Sequence, residues 1–148
     1  MSRSYKGDVS AADCWSSLAE QGDGFLVDVR THAEWNFVGF PAMPPAMPMG
    51  RADPIFAEWQ RYPTMAVDPD FGPRVAAAIE AAGGTKASPV YFLCRSGARS
   101  MASAAALTAL GFENCFNVAD GFEGPPDEEG HRGRVAGWKA AGLPWSQK

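Results

Sequence analysis

Several things are scarce in this chain, and each shortage closes off a class of function. Only three cysteines, Cys14, Cys94 and Cys115, occur in 148 residues. They form an odd, scattered set with no disulfide framework, no CxxC and no Cys/His spacing of the zinc type, so neither a metal site nor a cofactor is expected. Basic charge is in deficit: 13 Lys and Arg against 17 Asp and Glu give −4, the wrong balance for an electrostatically driven nucleic-acid binder. No apolar run approaches the ~18–20 residues of a membrane span. The opening MSRSYKGDVSAADC lacks the apolar core of a signal peptide, so a cytoplasmic location is expected. No coiled-coil pattern demands a partner, and the oligomeric state is left open.

What is present reads as one soluble α/β domain over residues 1–148. Apolar residues at 46% and charged residues at 20% are ordinary for a globular protein. Ser10 and Asp13 mark the start of a helix that should run to about Gln21 and stop at Gly22. Phe25 to Val29 is a short buried-strand pattern, and Thr31 to Glu34 reads as a capping box opening a short helix. The same grammar recurs: a helix from about Arg74 to Ala82 after Gly72-Pro73, a strand at Val90 to Leu93, a helix from Arg99 to Leu110 ended by Gly111, and a strand at Cys115 to Val118. Alternation of this kind implies a mainly parallel sheet with helices on both faces.

Two stretches break the rhythm. Residues 41–70 are rich in Pro and Met, with Pro-Ala-Met-Pro at 41–44 and again at 45–48. An irregular excursion is expected there, with Ile55 to Tyr62 supplying a helical turn or two. Loops of such length usually serve as lids or binding elements. Residues 123–135 form a polar, turn-rich loop, and a last short helix is expected near Trp138 to Ala141.

The chemistry concentrates in Val90 to Ser100, VYFLCRSGARS. A strand ends at Cys94, a tight turn follows, and a long helix begins. In an open α/β sheet the ligand site lies at the carboxyl ends of the strands, which is where Cys94 falls. The turn residues Arg95, Ser96, Gly97, Ala98, Arg99 and Ser100 are the candidate substrate cradle. Backbone amides and the positive end of the helix dipole favour an anion there, Gly97 permits the tight turn, and Arg95 and Arg99 add positive charge. Each of these favours the anionic, nucleophilic form of a thiol. Cys14 and Cys115 have no such surroundings and read as small buried apolar groups.

CRSGARS after an apolar strand, together with the upstream FLVDVRTHAEW, resembles the rhodanese (thiosulfate sulfurtransferase) homology domain. Asp120-Gly121-Phe122 and Gly137 to Pro144 are similar to that domain's closing segment, so the resemblance spans roughly residues 7–145. It implies a central parallel sheet of about five strands and a persulfide carried on Cys94. It further implies sulfur transfer from a small anionic donor such as thiosulfate, or from a persulfide, to cyanide, a thiol or a protein thiol. Arg95 and Arg99 are then expected to hold the donor. Asp28 and Arg30 are expected as supporting residues, a charged pair tying the strand end to its loop or, alternatively, a substrate contact by Arg30. The chain departs from the family's usual string after Asp28-Val29-Arg30, where only Gly39-Phe40-Pro41 matches before the excursion.

Loop length separates the competing chemistries. Phosphatases and arsenate reductases of related architecture enclose one residue more between cysteine and arginine, a cradle sized for a tetrahedral oxyanion. Cys94 to Arg99 encloses four residues, which suits a single persulfide sulfur. A regulatory or sulfur-sensing module without fast turnover is the other alternative, disfavoured by the intact Cys94, Gly97 and Arg99. His32 is expected as a helix-turn or solvent residue, since persulfide chemistry needs no base once the thiolate exists. His131 is expected as a solvated loop residue, the tryptophans Trp35, Trp59, Trp138 and Trp145 as packing anchors, and Asp127-Glu128-Glu129 as a solvated acidic edge.

Overall fold

The computed structural model of the protein describes residues 4–45, 47, 51–61 and 64–147. The elements in chain order are β1 (Gly7–Val9), α1 (Ala11–Gln21), β2 (Phe25–Asp28), α2 (His32–Phe37), β3 (Phe40–Pro41), β4 (Ile55–Phe56), β5 (Gln60–Arg61), β6 (Ala66–Val67), α3 (Phe71–Ala81), β7 (Val90–Leu93), α4 (Ala98–Ala109), β8 (Cys115–Val118) and β9 (Trp145–Ser146). Five of the strands build one sheet in the order β1-β8-β7-β2-β4, and every neighbouring pair in it is parallel. Two small antiparallel pairs, β3-β9 and β5-β6, lie outside it. Among the described residues no helix is long and apolar enough to cross a membrane.

Strand alternation sorts the core into two layers. Phe25 and Val27 of β2, Val90 and Phe92 of β7 and Cys115 of β8 face α3 and α4, where Phe71, Val75, Ile79, Ala104 and Leu107 meet them. Leu26, Tyr91, Leu93 and Val118 face the other way, onto Ala11, Cys14 and Leu18 of α1 and onto Phe122 and Trp138. Helices thus cover both faces of the sheet. The caps follow from sequence: Ser10 Oγ accepts the Asp13 amide at 3.0 Å, Gly22 ends α1 in the left-handed region, and Thr31 with Glu34 completes a capping box on α2.

Two local expectations are corrected. Ile55 to Tyr62 does not form helical turns: Ile55–Phe56 is β4, the edge strand beside β2, and Gln60–Arg61 is β5; Tyr62 lies outside the described residues. The unpaired edge of β2 decides this. The amides of Ala57 and Trp59 bond to the carbonyls of Asp28 and Val29 at 3.0 and 3.1 Å, satisfying groups that a helix would leave open. The excursion is therefore partly strand, and the second Pro-Ala-Met-Pro lies partly outside the described residues. Trp138 to Ala141 makes a hydrogen-bonded turn, not a helix, closed by the Ala141 amide on the Gly137 carbonyl. Pro144 follows too soon for a second turn.

Candidate active site

β7 ends at Leu93, and Cys94 continues its alternation onto the α3/α4 side, 1% exposed. The chain then turns so sharply that Gly97, the N-cap of α4, sits at φ +107°. A Cβ there would collide with the Ala119 carbonyl, so the turn requires glycine on two counts. The reversal brings the Gly97 amide to 3.1 Å from Cys94 Sγ. Behind it stand the first amides of α4, which have no intrahelical acceptor. The outer side of the loop is pinned by the next crossover: Phe122 N–H donates to the Cys94 carbonyl at 2.8 Å, and the amides of Glu123 and Gly124 donate to the Arg95 carbonyl at 3.1 Å.

Ser100 sits one turn into α4, fully buried, with its Oγ 3.2 Å from Cys94 Sγ. The same hydroxyl donates to Asn117 Oδ1 at 2.6 Å. Asn117 Nδ2 in turn donates to Asp8 Oδ1 at 3.1 Å, which Tyr5 also reaches with its hydroxyl at 2.8 Å. A polar chain therefore runs from the buried sulfur to the exposed carboxylate of β1.

The two arginines have unlike surroundings. Arg99 donates to both oxygens of Glu34, at 2.7 and 3.0 Å, and Glu34 Oε1 is also held by the Thr31 amide and hydroxyl at 3.2 and 3.1 Å. Burial disfavours the Glu34 carboxylate, but Arg99 and the Thr31 amide outweigh it and hold the carboxyl below its ordinary value. Burial likewise opposes the charge on Arg99, and Glu34, helped by the nearby Cys94, keeps the guanidinium firmly protonated. Arg95 is exposed and, among the described residues, has no side-chain partner. Glu34, Val38, Met65, Arg95, Arg99 and Glu123 wall a cavity of about 400 Å³ over this loop; Cys94 itself lies beneath, outside the wall.

The model of the rhodanese-like domain matches residues 10–124, most of the chain. The protein belongs to the rhodanese-like domain family. The crystal structure of Rv0390 from M. tuberculosis is similar over 97% of this chain and 99% of its own, with 40% identity and a TM-score of 0.82. The polysulfide-sulfur transferase homodimer of Wolinella succinogenes shares the fold at 20% identity, TM-score 0.61, covering 98% of this chain and 80% of that one. In sequence, the uncharacterized protein RC0915 of Rickettsia conorii is 32% identical over 138 residues, 93% of this chain and 95% of that protein.

In this rhodanese-like chain the predicted loop brings Gly97 and Ser100 to the Cys94 sulfur, whereas Arg95, Ser96 and Ala98 are exposed and Arg99 is held by Glu34. Asp28 and Arg30 do not join them. Asp28 lies on the opposite face of the sheet, and both side chains are fully buried. Arg30 pairs with Asp28 at 2.7 Å, donates to the Gly39 carbonyl at 2.8 Å and stacks 4.2 Å over the Phe122 ring. This geometry is the tie of strand end to loop, with no opening toward a substrate. Asn117, Glu123, Met65 and Val38 went unnoticed in the sequence. Asn117 had one legible signal, a polar residue inside an apolar strand whose alternation points it at α4. Met65 and Glu123 belong to loops whose path only the folded chain reveals.

Proposed function

We propose that the protein is a sulfurtransferase that moves a sulfane sulfur through a persulfide on Cys94. The observation that carries this reading is the buried Cys94 Sγ facing the Gly97 amide and the Ser100 hydroxyl at the start of α4. The Gly97 amide is aimed at the sulfur before substrate arrives, and a donor already in place favours the charge that a covalent intermediate carries on its sulfur. In the first half-reaction the Cys94 thiolate attacks the outer sulfur of thiosulfate. The new S–S bond forms as the donor's S–S bond breaks, and sulfite leaves with the electron pair. In the second, cyanide, a small thiol or a protein thiol attacks the outer sulfur of Cys94–S–S⁻ and regenerates the thiolate. No external oxidant or reductant is needed in either step. Arg95, exposed and uncommitted, meets the incoming anion, while Arg99 adds its field from its fixed place on Glu34. A cytoplasmic setting fits a catalytic cysteine that must stay reduced.

Intact-protein mass spectrometry after incubation with thiosulfate tests the cycle. Wild-type protein should gain one sulfur atom and lose it to cyanide as thiocyanate appears, and Cys94→Ser should gain none. Equal gain by Cys94→Ser would remove Cys94 as the nucleophile. A persulfide that forms but passes to no acceptor would indicate a sensor or carrier in place of an enzyme.

A further inference from the structure

A second cavity shares no wall residue with the one over the Cys94 loop. His32, Trp35 and Asn36 of α2, Phe40 of β3 and Phe56 of β4 enclose about 190 Å³. Four of these five are rings, and each ring stands nearly perpendicular to the next. His32 meets Trp35 at 79° with centroids 6.0 Å apart, Trp35 meets Phe56 at 68° and 5.2 Å, and Phe56 meets Phe40 at 86° and 5.8 Å. Rings joined edge to face in this way form the corners of a box. Phe56 stays 40% exposed although it belongs to the main sheet, so aromatic surface is left uncovered there. The charge at the rim has one sign. Glu58 Oε2 accepts the His32 amide at 2.8 Å, and among the described residues its carboxylate makes no ion pair. Neither lysine nor arginine lines the cavity.

Ring faces are electron-rich and attract cations, and the unpaired carboxylate of Glu58 favours the same sign of charge. Size narrows the choice. An apolar cavity of about 150 Å³ holds one benzene, so this one takes a single compact group. A primary ammonium would lose its water to a wall with few acceptors, since only His32 and Asn36 carry any, and leaving its N–H groups unpaired is costly. A quaternary ammonium has no N–H to satisfy, and its methyl groups lie well against rings. We propose that the cavity binds a small quaternary ammonium compound, with its trimethylammonium head inside the ring box and its charge balanced by Glu58. The site is separate from the sulfur chemistry and stands whether or not Cys94 carries a persulfide.

Titration with choline chloride at constant ionic strength, followed by the indole N–H resonances of the isotope-labelled protein, tests this. The reporter is Trp35, whose Nε1 is buried with no hydrogen-bond partner among the described residues; Trp35→Phe assigns its resonance. Choline should shift that resonance saturably. Two controls should each bind about tenfold more weakly, the scale of a desolvated cation–π contact. One is the uncharged analogue of choline with a tert-butyl group in place of trimethylammonium, and the other is ethanolamine, whose ammonium keeps its N–H groups. Glu58→Gln, a change at the rim that leaves the rings in place, should weaken choline several-fold and leave the uncharged analogue unaffected. Equal affinity for choline and the uncharged analogue would reduce the cavity to an apolar cleft and overturn the proposal. So would equal affinity for ethanolamine, which would assign the binding to surface charge. A Trp35 resonance that choline does not move, or a Glu58→Gln effect shared by choline and its analogue, would overturn it as well.

Discussion

Glu34 holds both terminal nitrogens of Arg99 across 65 positions of chain, at 2.7 and 3.0 Å. The carboxylate is fixed in advance because Glu34 is also the third residue of α2 and closes its capping box with Thr31. Glutamine preserves a capping box, so Glu34→Gln removes the charge with little damage to the helix. The variant should bind thiosulfate more tightly, with KM several-fold lower, because Arg99 is released toward the anion. Steady-state kinetics with thiosulfate check this, and an unchanged KM would mean that Arg99 never meets the donor.

The same pair sets an acid dependence. The native Glu34 carboxyl lies below its ordinary value of 4.5, so its contribution to stability is fully present above that value and is lost as pH falls through the native one. The difference in Tm between wild type and Glu34→Gln should hold steady from neutral pH down to about 5 and shrink below 4.5. Thermal melts across that range read the effect directly. A gap independent of pH would assign the stabilisation to packing.

Arg30 and Asp28 form a fully buried pair at 2.7 Å, and removing one partner leaves the other charged in the core. Arg30→Met should cost about 3–5 kcal/mol, measured by urea unfolding. Asp28→Leu combined with Arg30→Met should recover much of the loss, since no buried charge is then left alone. A double variant as unstable as the single one would show that the hydrogen bond of Arg30 to Gly39 matters more than the ion pair.

Burial pushes the Cys14 thiol far up, with Asp120 adding to the effect, and pushes Cys115 up to about 11, a hydrogen bond with Thr108 opposing it. Both stay neutral and inert at pH 8. Iodoacetamide should therefore modify native wild-type protein once, at Cys94, and native Cys94→Ser not at all until denaturant exposes the core. Labelling of Cys14 or Cys115 in the folded protein would reveal an opening of the α1 or α4 layer.

The loop from Cys94 to Ser100 was legible because every one of its requirements is local. The strand end, the left-handed glycine and the helix start follow one another within a few positions, and backbone geometry then brings Gly97 and Ser100 to the sulfur. The three central strands, β2, β7 and β8, were legible as apolar runs, whereas the two edge strands escaped notice. Gly7–Val9 is too short and too polar to read as a strand, and exists because β8 offers a free edge. Ile55–Phe56 carried a strand-prone pair, yet only the edge of β2 decides against a helical turn. The role of Arg99 was half legible. Its place on the first turn of α4 is local, but its capture by Glu34 depends on where the crossover after β2 sets α2, a tertiary matter. The same holds for Asn117, whose strand is plain in sequence and whose partner is not.

That partner gives the last prediction. A serine hydroxyl has one proton, and Ser100 directs it to Asn117 Oδ1 at 2.6 Å, leaving its oxygen to accept from the Cys94 thiol 3.2 Å away. The amide of Asn117 is oriented by its own donation to Asp8, so it presents oxygen, not nitrogen, to Ser100. When the sulfur is anionic the hydroxyl must turn, breaking its bond with Asn117 to donate to Sγ. Asn117 therefore competes with the anion for one proton. Asn117→Ala should free Ser100 for the sulfur and speed alkylation of Cys94 at neutral pH about fivefold, the equivalent of one hydrogen bond of about 1 kcal/mol. Ser100→Ala should slow alkylation by a similar factor, and in that background Asn117→Ala should have no further effect. Chemical modification rates on the two single variants and the double decide it. If Asn117→Ala slows the reaction, or acts equally with and without Ser100, the asparagine supports the loop by packing and the hydroxyl is not shared.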